Sequence, residues 1–163
     1  MSDSLPAVAK PIALLFKINN SMVTRGLDGL SDDEAWYQME GKGNPVAWIV
    51  GHLTETRAQM LGLLGAPWDA GWSTAFPRGG ERRDRAAYPS RSAIEARFNE
   101  THEAMRAAFA SLTAERLAAP APVSIAGAKT IADLLAFFAF HEAYHLGQVG
   151  FIRKQLGHSS LAG

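Results

Sequence analysis

The chain has 163 residues, 47% of them hydrophobic and 20% charged, which suits one globular domain (1–163) with a real core. Sixteen basic and sixteen acidic residues cancel, so no net field recruits nucleic acid or an anionic membrane surface. The absence of cysteine excludes disulfides, thiolate metal ligands and a cysteine nucleophile.

The opening "MSDSLPAVAK" lacks a basic stretch followed by an uninterrupted apolar run, so no signal peptide is expected. No apolar stretch approaches the roughly 20 residues of a membrane span. The expectation is a soluble cytoplasmic protein whose partner is a small molecule, not a membrane or a nucleic acid.

The first helix is expected from about Leu5 to Gly26, with Val8, Ile12, Leu15, Phe16, Met22 and Val23 at helical spacing. Asn19 interrupts that stripe. Ser31 and Glu34 form a capping box for a short helical piece, "SDDEAWYQM". Asn44 as N-cap with Pro45 at the first helical position opens a second long helix, expected to stop at Gly65.

Residues 66–89, rich in Gly, Pro, Trp and Arg, form a connection long enough to be functional or to cross between parallel neighbours. Ser92 with Glu95 is expected to open the third long helix, whose core face is Ile94, Phe98, Met105, Phe109 and Leu112. A loop bounded by Pro120 and Pro122 follows. Thr130, with Asp133 in the first turn, caps a fourth helix running to about Leu156. Nothing reads as a strand. The pattern predicts an all-α fold, a four-helix bundle with a long crossover between its second and third helices.

Residues 141–145 spell H-E-x-x-H, the helical zinc-protease pattern. At about 100° per residue, His141 and His145 lie about 40° apart on a face shared with Leu134, Phe138 and Ile152, an arrangement able to chelate one ion. A protease needs a third ligand downstream, but no Asp or Glu follows His145. The longer H-E-x-x-H-x-x-G-x-x-H form also fails, because Gln148 and Phe151 stand where it needs Gly and His. His158 lies beyond the helix end. A carboxylate-bridged di-iron site wants two Glu-x-x-His copies, and "EAYH" is single. His52, midway along the second helix beside Trp48, Thr56 and Gln59, is the better third ligand. One histidine there and an i, i+4 pair on the fourth helix make a metal site inside a bundle, with coordination left open.

Here the chain resembles the DinB/YfiT-like family of bacterial four-helix-bundle metalloproteins. "PVAWIVGHL" is similar to that family's second-helix segment, which carries one ligand. "TIADLLAFFAFHEAYHLGQVGFIRKQLG" is similar to its fourth helix, and "LDGLSDDEAW" to the exit from its first. The resemblance implies a divalent metal, usually zinc or nickel, held by His52, His141 and His145, in a crossover bundle that is often a homodimer. Characterised relatives include transferases using bacillithiol, mycothiol or glutathione and a thiol-dependent maleylpyruvate isomerase; many others carry only a provisional label such as metal-dependent hydrolase.

Several further residues are candidates around that centre. Glu142 falls among Ile131, Leu135 and Val149 on the inward half of its helix. There it can orient a ligand imidazole, take a proton as a base, or pair with a basic residue of a neighbouring helix. Gln148, Asn19 and Trp48 are candidates to line a substrate cavity, with a structural hydrogen bond the alternative for Asn19 and core packing for Trp48. His102, at the edge of the third helix's apolar stripe, is a candidate fourth ligand. Arg78, Arg82, Arg83 and Arg85 of the long connection can hold carboxylates, or belong to a solvated loop or dimer contact. The expected chemistry is the ion lowering the pKa of a thiol or water on a small substrate. A low-molecular-weight thiol S-transferase comes first and a hydrolase second. The rival is a non-catalytic, stress-related bundle whose ion is structural.

Overall fold

The computed structural model describes residues 5–39, 43–72, 75–76 and 83–161. The fold is all-α, with six α-helices among the described residues: α1 (Ala9–Leu27), α2 (Asp32–Ala35), α3 (Val46–Leu63), α4 (Arg91–Ala110), α5 (Ala114–Ala118) and α6 (Ile131–Gln155), and a 3-10 turn at Arg85–Ala87. None is long and apolar enough to cross a membrane.

Local chemistry accounts for most boundaries. The expected capping box forms at α2, where the Ser31 hydroxyl accepts from the Glu34 backbone N–H while the Glu34 carboxylate accepts from Ser31; Thr130 caps α6 as expected and makes a second box with Asp133. α3 ends in a turn where the Ala66 N–H reaches the Leu61 carbonyl and the Gly65 N–H that of Gly62, with Gly65 at φ +81°. Such a left-handed residue after the helix suits glycine. Gly157 closes α6 in the same way, with φ +85°.

Three starts differ from expectation. Pro45, not Asn44, is the N-cap of α3: its ψ of 158° is extended, so the helix begins at Val46. Ser90, not Ser92, caps α4, its hydroxyl accepting from the Ala93 N–H at 3.2 Å. α1 begins at Ala9, and Val8 and Leu15, expected in its core stripe, are 53% and 46% exposed. The buried face of α1 is instead Ile12, Phe16, Asn19 and Val23. The short α5 had no clear periodic signal.

The core divides into two clusters that reveal the helix directions. One gathers the start of α3 (Val46 to Leu53) and of α4 (Ile94, Phe98) with the ends of α1 (Val23, Leu27) and α6 (Val149, Ile152). The other joins the far ends of α3 (Met60, Leu61) and α4 (Met105, Phe109) to the beginnings of α1 and α6. α3 and α4 therefore run in the same direction, antiparallel to α1 and α6. Helices running the same way cannot be joined by a tight turn, which is why 64–90 is long. The expected core face of the third long helix is buried in full: Ile94, Phe98, Met105 and Phe109 of α4, and Leu112 just past its end.

Buried polar ties lock these helices in register. Asn19 Nδ2 donates to the Ala139 carbonyl at 3.0 Å, joining α1 to α6. The buried Arg153 donates to the carbonyls of Gly26 and Asp28 at the end of α1, supplying the cap that the last turn of α1 needs.

Candidate metal centre

α3 is buried all the way round from Val46 to Arg57, so His52 sits within packed surroundings and not at the border of an apolar face. Its side of α3 meets the stretch of α6 that carries His141 and His145. The His52 and His141 Nε2 atoms lie 3.3 Å apart. One ring nitrogen from each of His52, His141 and His145 fits within a set whose members are all within 4.8 Å of one another. The imidazole centroids are 4.6 Å apart for His141 and His145, 5.2 Å for His52 and His141, and 5.1 Å for His52 and His145.

That geometry fits a metal ion. Two nitrogens bound at about 2.0–2.1 Å in a tetrahedral shell are separated by about 3.3–3.4 Å, which is the spacing of the His52 and His141 Nε2 atoms. The three histidines are therefore a set able to hold a metal ion.

The sequence profile of the DinB superfamily matches residues 16–149. The chain belongs to the DinB superfamily. No curated protein matches it significantly. The match takes in all three histidines and every helix except the first turns of α1 and the end of α6.

In this DinB-superfamily chain, the Nδ1 atoms of His52 and His145 are engaged. His52 Nδ1 lies 3.2 Å from the Phe76 carbonyl, and a carbonyl can only accept, so Nδ1 carries the proton. His145 Nδ1 lies 2.8 Å from Gln148 Oε1, its neighbour one turn on. Both contacts direct the remaining Nε2 lone pair toward the cluster, as partners of metal-ligating histidines do. Burial pushes the pKa of His145 below its ordinary value, with the Gln148 contact opposing. Burial thus favours the neutral form that a metal needs.

His141 and His145 are half-buried, lying at the edge of α6 toward α3 and not in the core itself. The centre of the inward face of α6 belongs to Glu142. Sequence reasoning named Glu142 but missed its partner, Arg57 of α3. Arg57 Nε donates to Glu142 Oε1 at 2.6 Å and Nη2 to Oε2 at 3.0 Å, and both side chains are essentially inaccessible. The third arm of the guanidinium donates to Asn20 Oδ1, and its plane lies 4.1 Å from the Phe98 ring centroid. One residue thus ties α3 to α1, α4 and α6. Of the arrangements open to Glu142, the pairing with a basic residue of a neighbouring helix is the one present.

The other candidates divide between site and scaffold. Gln148 touches His145 and lines a cavity of about 560 Å³ with Met39, Asn44, Tyr144, Phe151 and Ile152. Trp48 is buried, its ring stacked on that of His52 at 5.3 Å. Asn19 is engaged with the Ala139 carbonyl of α6. His102 is half-buried outside the three-histidine set, its pKa lowered by burial and then by Arg57. His158 instead contacts Glu34 Oε1 at 3.0 Å. Of the loop arginines, Arg85 pairs with Asp32 and Asp33 at the surface, and the Arg83 backbone N–H donates to the Tyr88 hydroxyl. Arg78 and Arg82 lie outside the described residues.

Also missed was a short piece of the crossover, Ala75 and Phe76, seated directly on α3. The one signal for it was Gly51, a glycine in the middle of a helix immediately before the ligand position. Such a glycine often marks a close approach.

Proposed function

We propose that His52, His141 and His145 hold one divalent transition-metal ion, zinc or nickel, and that the protein uses it to act on a small molecule. The observation that carries this reading is the 3.3 Å separation of the His52 and His141 Nε2 atoms with His145 beside them. No other His, Asp or Glu joins the set among the described residues. Three protein ligands are the number that leaves a coordination position open, as catalytic sites do. The partial exposure of His141 and His145 gives a small molecule a way in.

When bound, such an ion lowers the pKa of a thiol or water enough to give a nucleophile at neutral pH. The chain's own part is to orient and to shelter. Phe76 and Gln148 fix two imidazoles, and Trp48 covers one face of His52. The cavity beside Gln148, walled by Tyr144, Phe151 and Met39, receives the substrate in this reading. Glu142, whose two oxygens both accept from Arg57, ties α6 to α3 and so sets the helix that carries His141 and His145 against the one that carries His52.

Transfer involving a low-molecular-weight thiol is the first assignment and hydrolysis the second, in the cytoplasm. The test is turnover of electrophiles with bacillithiol, mycothiol or glutathione by zinc- or nickel-loaded protein. Activity that disappears in His145→Ala supports the transferase. Ester or amide turnover without any thiol dependence moves the assignment to a hydrolase.

We further propose that the working form is a homodimer. Leu14, Leu15 and Ile18 of α1 and Phe140, Tyr144 and Phe151 of α6 are 44–64% exposed, more large apolar surface than isolated side chains explain.

A further inference from the structure

We propose that Phe76, far from the ligands in sequence, is a positioning residue of the three-histidine site: its backbone carbonyl holds His52 as the Nδ1–H tautomer, and Gly51 and Glu55 seat it there. This inference rests on the reading of His52 as a ligand. It adds to it a control point in the crossover between α3 and α4.

An imidazole offers two nitrogens, and a partner on Nδ1 fixes the tautomer and ring orientation that present Nε2 to an ion. His145 solves this locally with Gln148, three residues along its own helix. His52 has its partner 24 residues away, in a connection with no regular secondary structure at that point. That carbonyl has to be held in place by something, and three independent contacts do so.

The first is steric. The Phe76 ring, fully buried, lies flat against α3 where Gly51 has no side chain. A Cβ at position 51 would stand 2.3 Å from Cζ and 2.5–2.6 Å from both Cε atoms, far inside van der Waals contact. The second is polar. The Phe76 backbone N–H donates to Glu55 Oε1 at 3.3 Å, one helical turn beyond His52. The same peptide segment is thereby gripped from both sides, N–H by Glu55 and C=O by His52. The third is aromatic: the Phe76 ring stacks on Tyr88 at 5.3 Å and meets Trp48 and Trp72 edge-on at 6.1 Å each. Residues 51, 52 and 55 of one helix thus read a single residue of the crossover.

Because binding linkage is reciprocal, an ion that favours the correctly oriented His52 also favours the docked crossover. The site and the loop then stabilise each other, and any event that lifts Phe76 weakens the hold on the ion.

The experiment measures zinc affinity by competition with a chromogenic chelator, and the His52 tautomer in metal-free protein by 15N NMR of the imidazole. Gly51→Ala is expected to lose about tenfold or more in zinc affinity, the loss typical when the partner of a metal-binding histidine is removed. Its His52 should no longer be held as Nδ1–H. Gly62→Ala is the control: same helix, exposed, with nothing within 4 Å of the added methyl. It should bind zinc as the parent does.

Should Gly51→Ala fail to fold, Glu55→Ala tests the same grip without a clash. Glu55→Gln keeps an acceptor for the Phe76 N–H and should rescue affinity. Folded Gly51→Ala or Glu55→Ala protein with parental zinc affinity and an unchanged His52 tautomer would overturn the proposal. Parental protein that binds no zinc would contradict the metal reading instead. The tautomer measurement would still judge the role of Phe76: Nδ1–H in the parent and its loss in Glu55→Ala would uphold it.

Discussion

Removing one member of the Arg57–Glu142 pair should be among the most damaging single changes available in this fold. Both side chains are at most 2% exposed, and the pair is doubly hydrogen-bonded. In Arg57→Met, the thioether chain still packs on Phe98, but the Glu142 carboxylate keeps its burial and loses both donors. Breaking a buried ion pair in this way costs about 3–5 kcal/mol. For a chain of this size each kcal/mol moves Tm by about 2–4 °C, so metal-free protein should melt about 6–20 °C lower. The double variant Arg57→Met/Glu142→Leu removes both charges and the desolvation that they carry. It should recover most of the loss, because well-packed apolar replacements of buried ion pairs are often neutral or better. Urea denaturation followed by circular dichroism, on parent, both single variants and the double, completes the cycle. A cost below about 1 kcal/mol for Arg57→Met, or a double variant no more stable than the singles, would refute the pairing as the tie between α3 and α6.

Two further outcomes follow from charges and surfaces. Metal-free protein should lose stability as pH falls below 6.5: burial lowers the folded-state pKa of His145 and, with Arg57, of His102, so the unfolded chain takes up protons that the folded one refuses. A second loss should appear as pH falls below 4.5, because the Ser31 N–H and the His158 contact hold the Glu34 carboxyl at about 2, and backbone N–H groups of Lys129 and Thr130 lower that of Asp133. Glu55 opposes this loss, since burial raises its pKa. Melts across pH 2–8 check both steps, and a flat profile for the metal-free protein would contradict them. Ile18→Glu, placed in the exposed apolar surface, should give a folded monomer by analytical ultracentrifugation where the parent sediments as a dimer. A parent that is already monomeric would remove the dimer from the account.

Much of this was legible in the sequence because it depends on local chemistry. The capping boxes at Ser31 and Thr130 and the glycine stops at Gly65 and Gly157 act over three or four residues, and they form as written. The α4 core face follows helical periodicity and is buried as expected. His52, His141 and His145 could be grouped because two share a helix face and the third was the best-placed remaining histidine. Periodicity failed where its assumption of one apolar face fails. α3 is buried on all sides up to Arg57, so periodicity could not separate the site-facing edge from the core, and nothing in the spacing marked Arg57 as buried. On α1, alternative apolar stripes exist, and Asn19 with its Ala139 bond decides which turns inward. The seat of Phe76 against Gly51 joins residues 25 apart through a loop, which spacing rules do not reach.

The central claim is that three histidines from two helices bind one ion. Elemental analysis of protein purified without chelators or a histidine tag, on the parent and on His52→Ala and His145→Ala, tests it most directly. The account predicts about one zinc or nickel ion per chain in the parent, with comparable loss in the two variants despite their distance in sequence. Retention of the ion by His52→Ala, or a parent that takes up none after reconstitution with either metal, would contradict it.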